Sequence, residues 1–117
     1  MSKVFGDPES GFAVSFDIAT RTVRVDGWGF WGVGIAPRFR EAVLEAFRVG
    51  PSARRLELEL TRLKPLREEG EEAWLHLVTN LPKMGVEEIV VATNSLTKLQ
   101  LLRLVRQSVS KNLVQFS

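Results

Sequence analysis

Leu56-Glu57-Leu58-Glu59-Leu60-Thr61 is the stretch on which the fold turns. Leucine at every second position puts one apolar face on an extended chain, the period of a half-buried strand. A loop through Lys64-Pro65 follows, and then the pattern changes period. Over Glu68–Leu81 the apolar residues Ala73, Trp74, Leu77 and Leu81 recur at helical spacing. Pro82 ends or kinks that helix, because it lacks an N–H and clashes with the preceding turn, and Gly85 closes the connection. Ile89-Val90-Val91-Ala92 comes next, apolar without alternation, as expected of a strand that is central or covered on both faces. Strand, helix, strand within about forty residues predicts a parallel crossover, and such crossovers are right-handed.

Working toward the N-terminus, Gly50-Pro51 stops an earlier helix, in which Phe39, Val43, Ala46 and Phe47 share a face and Pro37 occupies the first turn. Before it lies a glycine-rich connection, Gly27-Trp28-Gly29-Phe30-Trp31-Gly32-Val33-Gly34. Val23 and Val25 alternate with Arg24 and Asp26, and Phe12, Val14 and Phe16 alternate with Ala13, Ser15 and Asp17. These read as two hairpin-paired strands joined by a turn over Asp17–Arg21. Residues 1–10 show no periodicity and are expected to form a flexible N-terminal arm, with residues 11–117 as one domain.

Working toward the C-terminus, Thr97 and Gln100 match a capping box, and Leu96 with Leu101 matches its hydrophobic staple. Leu101, Leu102, Val105 and Val109 supply a buried stripe, and Leu113–Phe116 supplies a short last strand. The predicted order is β-β-α-β-α-β-α-β: an α/β domain with a mixed sheet of about five strands and three helices mainly on one face. Ser15, Asp17, Arg24, Asp26, Glu57 and Glu59 are expected on the opposite, solvated face.

Composition narrows the chemistry. The 117 residues carry 44% apolar and 26% charged side chains, a globular balance with a formal charge of +2. With no cysteine there is no disulfide, thiolate metal site or cysteine nucleophile, and one histidine cannot build a multi-histidine metal cluster. His76 lies mid-helix between Leu75 and Leu77, on the flank of the apolar stripe, and no serine stands in a G-x-S-x-G elbow. Gly27, Gly29 and Gly32 spell G-x-G-x-x-G, but four residues separate the last glycine from the helix, and the acid about twenty positions on, Glu45, is helical. Glu68, Glu69, Glu71 and Glu72 crowd one helix start, where they complement its dipole and stay ionised. No enzyme, cofactor or metal is expected. No apolar run reaches the about 20 residues of a membrane span, and the N-terminus has no signal-peptide core, so a cytoplasmic, bacterial-type protein is expected.

The stretch Leu56–Gly85 resembles the core of a STAS domain, the anti-sigma-factor-antagonist family. Leu58-Glu59-Leu60-Thr61 matches the family's D-L-S-G-like strand end, and Leu66-Arg67-Glu68-Glu69-Gly70 matches its D-S-S-G-L loop. Arg67 stands where the family has aspartate, Glu68 and Glu69 stand where it has two serines, and Gly70 is retained. In the family the second serine is phosphorylated by a partner kinase. A phosphoserine carries about −1.5 to −2 charge, whereas glutamate is permanently negative. The resemblance implies a regulatory protein-interaction module that phosphorylation of this site cannot switch. Its expected partner is another signalling protein, a kinase-like anti-sigma factor or other regulator. The expected partner-binding residues are Arg67, Glu68, Glu69 and Glu72, with Trp28, Phe30 and Trp31 as a second patch.

Three alternatives stay open beside it. The four acids are equally read as simple helix capping. The aromatic loop reads as core packing, as a protein contact or as the site of a small-ligand sensor. Lys98, Arg103, Arg106 and Lys111 form a basic stripe on the third helix and its exit, read first as a solvated face and otherwise as a nucleic-acid contact. Leu99 and Leu104 lie off that helix's main stripe and offer a surface for a homodimer.

Overall fold

A computed structural model describes residues 2–50, 52–108 and 112–117. Pro51, Val109 and Lys111, which the sequence reading uses as a helix stop, a stripe residue and a cation, lie outside the described residues, as does Met1. The elements in chain order are β1 (Ser2–Gly6), β2 (Gly11–Asp17), β3 (Thr22–Gly29), α1 (Ile35–Val49), β4 (Arg55–Leu63), α2 (Glu68–Asn80), β5 (Glu88–Thr93), α3 (Ser95–Val105) and β6 (Val114–Phe116). They form one sheet whose spatial order equals its sequence order, β1 to β6. The first three strands pair antiparallel, and β3, β4, β5 and β6 pair parallel through the three helices. The α/β architecture and mixed sheet are as expected, with six strands in place of about five.

The additional strand corrects the reading of residues 1–10 as an arm. Ser2–Gly6 runs along β2 in continuous register from Ser2↔Ser15 to Gly6↔Gly11. What holds it is turn chemistry rather than periodicity. Asp7 Oδ1 accepts from the backbone N–H groups of Glu9 and Ser10 at 2.9 and 3.1 Å, an Asx turn that closes a tight hairpin.

Alternation in β4 places Leu56, Leu58 and Leu60 in the core, as predicted. Its last buried leucine is Leu63, three residues on, because the β3/β4 register slips between Asp26↔Glu59 and Trp28↔Arg62. One extra residue in β4 forms a bulge there and shifts the alternation by one. β5 alternates in burial as well: Ile89 and Val91 are buried, whereas Val90 and Ala92 are half-buried on the helix-free face. It is therefore covered on one face only.

The core lies between sheet and helices. Phe12, Trp31 and Phe39 join β2, the β3–α1 loop and α1, with ring centroids 4.9 to 6.1 Å apart. Trp74 of α2 is buried and its indole N–H donates to the Leu101 carbonyl of α3 at 3.2 Å, fixing those two helices side by side. A short 3-10 turn, Leu81–Met84, follows α2, with Pro82 in its first positions and Gly85 capping it. The Cα radius of gyration, 12.9 Å, matches the value of about 13 Å for one domain of this length.

Two details of α3 differ from the sequence reading. Asn94 is the N-cap, accepting from Thr97 N–H at 3.0 Å, and Leu96 is exposed, so neither the Thr97–Gln100 box nor the Leu96–Leu101 staple forms. Thr97 is instead buried and donates its hydroxyl to the Leu63 carbonyl at 2.8 Å. Leu104, expected off the stripe, is core, whereas Leu99 is exposed.

The helix-free face carries charge as expected. Arg24 pairs with Glu57 (3.2 Å), Arg55 with the same Glu57 (3.2 Å) and with Glu88 (3.1 Å), a chain of ion pairs across β3, β4 and β5. Exposed pairs of this kind contribute about 0–1 kcal/mol each. They keep the face wet rather than hold the fold together.

Candidate functional site

In parallel sheets the helix N-termini gather at the carboxyl ends of the strands, and here that end holds the predicted acids. Glu68, Glu69 and Glu71 occupy the first turn of α2, with Glu72 one residue on, so the acids open a helix as expected. Arg67 is the N-cap, in extended conformation and without a side-chain cap. A cation at the positive end of a helix dipole is unfavourable, and the acids behind it offset that.

The four acids are not equivalent. Glu69 reaches across to α1, whose own start has no side-chain cap and no acid in its first turn. Its Oε1 and Oε2 accept from Gly34 N–H at 3.1 and 3.4 Å. Gly34 stands at φ +92°, a conformation open to glycine and without a side chain to cap the helix itself, so the cap comes from α2. Glu71 faces α3 and accepts from Gln100 Nε2 at 2.9 Å and Arg103 Nη2 at 3.1 Å. Gln100 also holds both backbone groups of Leu66, accepting from its N–H at 2.6 Å and donating to its C=O at 2.7 Å. The loop into α2 is thereby clamped. Glu68 and Glu72 are exposed and have no charged or hydrogen-bonding side-chain partner among the described residues.

Gly70 is buried for a packing reason. A Cβ there would lie 2.8 Å from both Cβ and Cδ2 of Leu66. Only glycine lets the clamped loop fold over the first turn of the helix.

The aromatic residues separate. Trp31 is 5% exposed and donates its indole N–H to the Gly11 carbonyl at 3.0 Å, so it belongs to the core and not to a binding patch. Trp28 lies in β3 rather than in the loop. Its N–H donates to the Asp7 carbonyl at 2.8 Å, and Arg62 sits 5.7 Å above its ring. Phe30 alone is open, 46% exposed, with the Arg67 guanidinium 5.9 Å from its ring centroid. Val33, 88% exposed, follows it in the same loop. Of the seven residues expected to bind a partner, Phe30, Arg67, Glu68 and Glu72 remain as outward surface around the α2 mouth. Glu69, Trp28 and Trp31 are engaged within the fold.

The G-x-G-x-x-G run is divided between β3, which holds Gly27 and Gly29, and the loop, which holds Gly32, so it does not cradle a phosphate. In the basic stripe Lys98, Arg103 and Arg106 are all exposed, and Arg103 is paired with Glu71. His76 is exposed on α2. Among the described residues no three metal-ligating side chains converge, and no helix is long and apolar enough to cross a membrane. Sequence reasoning missed the exposure of Val33 and the structural roles of two acids it had named, Glu69 and Glu71. The acids' partners are 35 and 29 residues away, and no local pattern announces such contacts.

Comparison with protein-family models returns no match, and comparison with curated proteins returns none either.

Proposed function

We propose that the chain is a non-catalytic, STAS-like regulatory domain that holds another signalling protein through the α2 mouth. The observation that carries this reading is the division of labour among the acids. Glu69 and Glu71 are spent on the fold, while Glu68 and Glu72 are exposed at the start of α2, directly after Arg67. The Arg67 guanidinium lies over exposed Phe30, and Val33 of the same loop as Phe30 is exposed too. Apolar and π-stacked groups ringed by free charge are the composition of an interaction surface. The retained Gly70 and the clamped Leu66 loop support the resemblance, since they keep the helix mouth in one rigid shape. Where the family carries the serine that accepts and loses phosphate, this chain carries Glu69, whose carboxylate is tied to Gly34. The free charge at the mouth is that of Glu68 and Glu72, which phosphorylation does not switch. The domain therefore presents one constant charge state to a partner whose complementary surface is basic and apolar.

Affinity capture from extract of the source cell tests this with three proteins: the unaltered chain, Glu68→Ala with Glu72→Ala, and Phe30→Ala. A partner retained by the first and lost by the other two, all three equally folded, is the expected result. Capture unchanged by all three substitutions refutes the assignment.

A further inference from the structure

β1 begins the strand order, so one of its sides is paired by β2 and the other by nothing among the described residues. The pairing is regular, without a bulge, over all five residues. Its phase follows from the hairpin. Asp7 N–H donates to the Ser10 carbonyl at 3.0 Å, which makes Asp7 and Ser10 a hydrogen-bonded pair. Antiparallel ladders alternate, so Gly6↔Gly11 and Val4↔Ala13 are non-hydrogen-bonded pairs. The N–H and C=O groups of Val4 and Gly6 then point away from β2, out of the sheet edge.

On the helix side of this edge lies a groove of about 240 Å³ lined by Phe5, Gly6, Phe12, Ile35 and Arg38. It runs between β1 and the start of α1, and its floor is the stacked pair Phe5–Phe12, 4.9 Å between centroids. This is smaller than the roughly 300–1,000 Å³ of small-molecule sites, and of a size that one or two apolar side chains fill. An unpaired edge beside an apolar groove is the arrangement used for strand addition. There the backbone supplies affinity and alternate side chains enter the groove.

Charge selects the occupant. Lys3 and Arg38 are exposed, and Arg38 has no ion-pair partner among the described residues, Glu41 being taken by Arg40. By alternation Lys3 points to the same side as Phe5, so two cations flank the groove. A second copy is disfavoured. Antiparallel self-pairing about Val4 would set Lys3 opposite Phe5 of the other copy and gather the cations Lys3 and Arg38 of both copies along one seam, where they repel without a carboxylate between them. We propose that the β1 edge takes an extended, acidic and apolar peptide segment of another protein as a seventh strand. The segment hydrogen-bonds to Val4 and Gly6, buries an apolar side chain against Phe5, Phe12 and Ile35, and sets carboxylates on Arg38 and Lys3. This surface is distinct from the α2 mouth and does not depend on its function.

The test uses the full chain and a fluorescein-labelled ten-residue peptide of alternating glutamate and valine, with a lysine-for-glutamate version as its counterpart. Anisotropy is expected to show saturable binding of the acidic peptide, at least tenfold tighter than the basic one. Val4→Pro removes an outward N–H without breaking a bond to β2, at an edge position where proline is tolerated, and is expected to weaken binding tenfold or more. Arg38→Glu leaves the strand untouched, takes the local charge to neutral beside Lys3, and is expected to abolish the charge preference. No saturable binding, equal binding of the two peptides, or binding indifferent to Arg38→Glu overturns the proposal. So does a dimer in sedimentation that Val4→Pro dissolves, since the edge would then be covered by a second copy.

Discussion

Replacing Glu69 by alanine isolates the contact between α2 and the start of α1. The substitution strips Gly34 N–H of its acceptor in a half-buried place. Loss of an N-cap acceptor costs about 0.5–2 kcal/mol, and a hydrogen bond to a charged group contributes about 1.5–3 kcal/mol. The two ranges overlap near 1.5–2 kcal/mol. Unfolding entropy of about 2.1 cal/mol/K per residue implies a fall in Tm of about 4 °C per kcal/mol at this chain length, so Tm is expected to drop by about 6–8 °C. Glu68→Ala is the matched control. It removes the same charge from the same helix turn, a dipole effect of about 0.3–1 kcal/mol, but touches nothing on α1. Its expected drop is at most about 4 °C. Glu69→Gln keeps an acceptor oxygen and should fall between the two. Calorimetric melts of the three variants decide. Equal Tm values for Glu68→Ala and Glu69→Ala would refute the claim that α1 is capped from its neighbour.

Other outcomes follow from packing and polar contacts. Gly70→Ala should destabilise by about 1–3 kcal/mol through its clash with Leu66, and Leu66→Ala in the same chain should recover part of this, as a double-mutant cycle in urea would show. Trp74→Phe leaves the Leu101 carbonyl without its indole donor and should lower the urea midpoint by an amount equivalent to about 1–3 kcal/mol. Leu77→Ala, at a fully buried position, should cost about 2–5 kcal/mol in the same assay. Arg24→Ala breaks an exposed ion pair on the helix-free face and should change stability by no more than about 1 kcal/mol, a loss that high salt abolishes.

The elements legible in the sequence were those whose burial follows a period. The leucines of β4 and the Ala73–Leu77 stripe of α2 announce themselves because neighbours along the chain share one environment. Phe39, Val43 and Phe47 do the same in α1. β1 was illegible because two apolar residues, Val4 and Phe5, make no alternation, and what secures the strand is the Asp7 turn, the ladder to β2 and the stacking of Phe5 on Phe12. The start of α3 was misread for a related reason. Thr97 satisfies the capping pattern locally, but its hydroxyl is drawn to Leu63, 34 residues away, leaving Asn94 to cap. At the candidate site the acids' position at a helix mouth was readable, since Pro65 and the change of period mark it. Which acids remain free was not, because Gly34 and Gln100 reach that mouth from other elements.

The identity of spatial and sequence strand order has a consequence for synthesis. No strand has to be inserted between two already paired, so the sheet can be laid down from one end as the polypeptide leaves the ribosome. Each new strand closes only the short loop or single helix behind it, which keeps the entropic barrier of every step low. The growing margin at any moment is the most recent parallel strand. It stays bare until the next helix and strand emerge, so a ribosome that stalls within α2 or α3 leaves a templating surface open to nascent chains nearby.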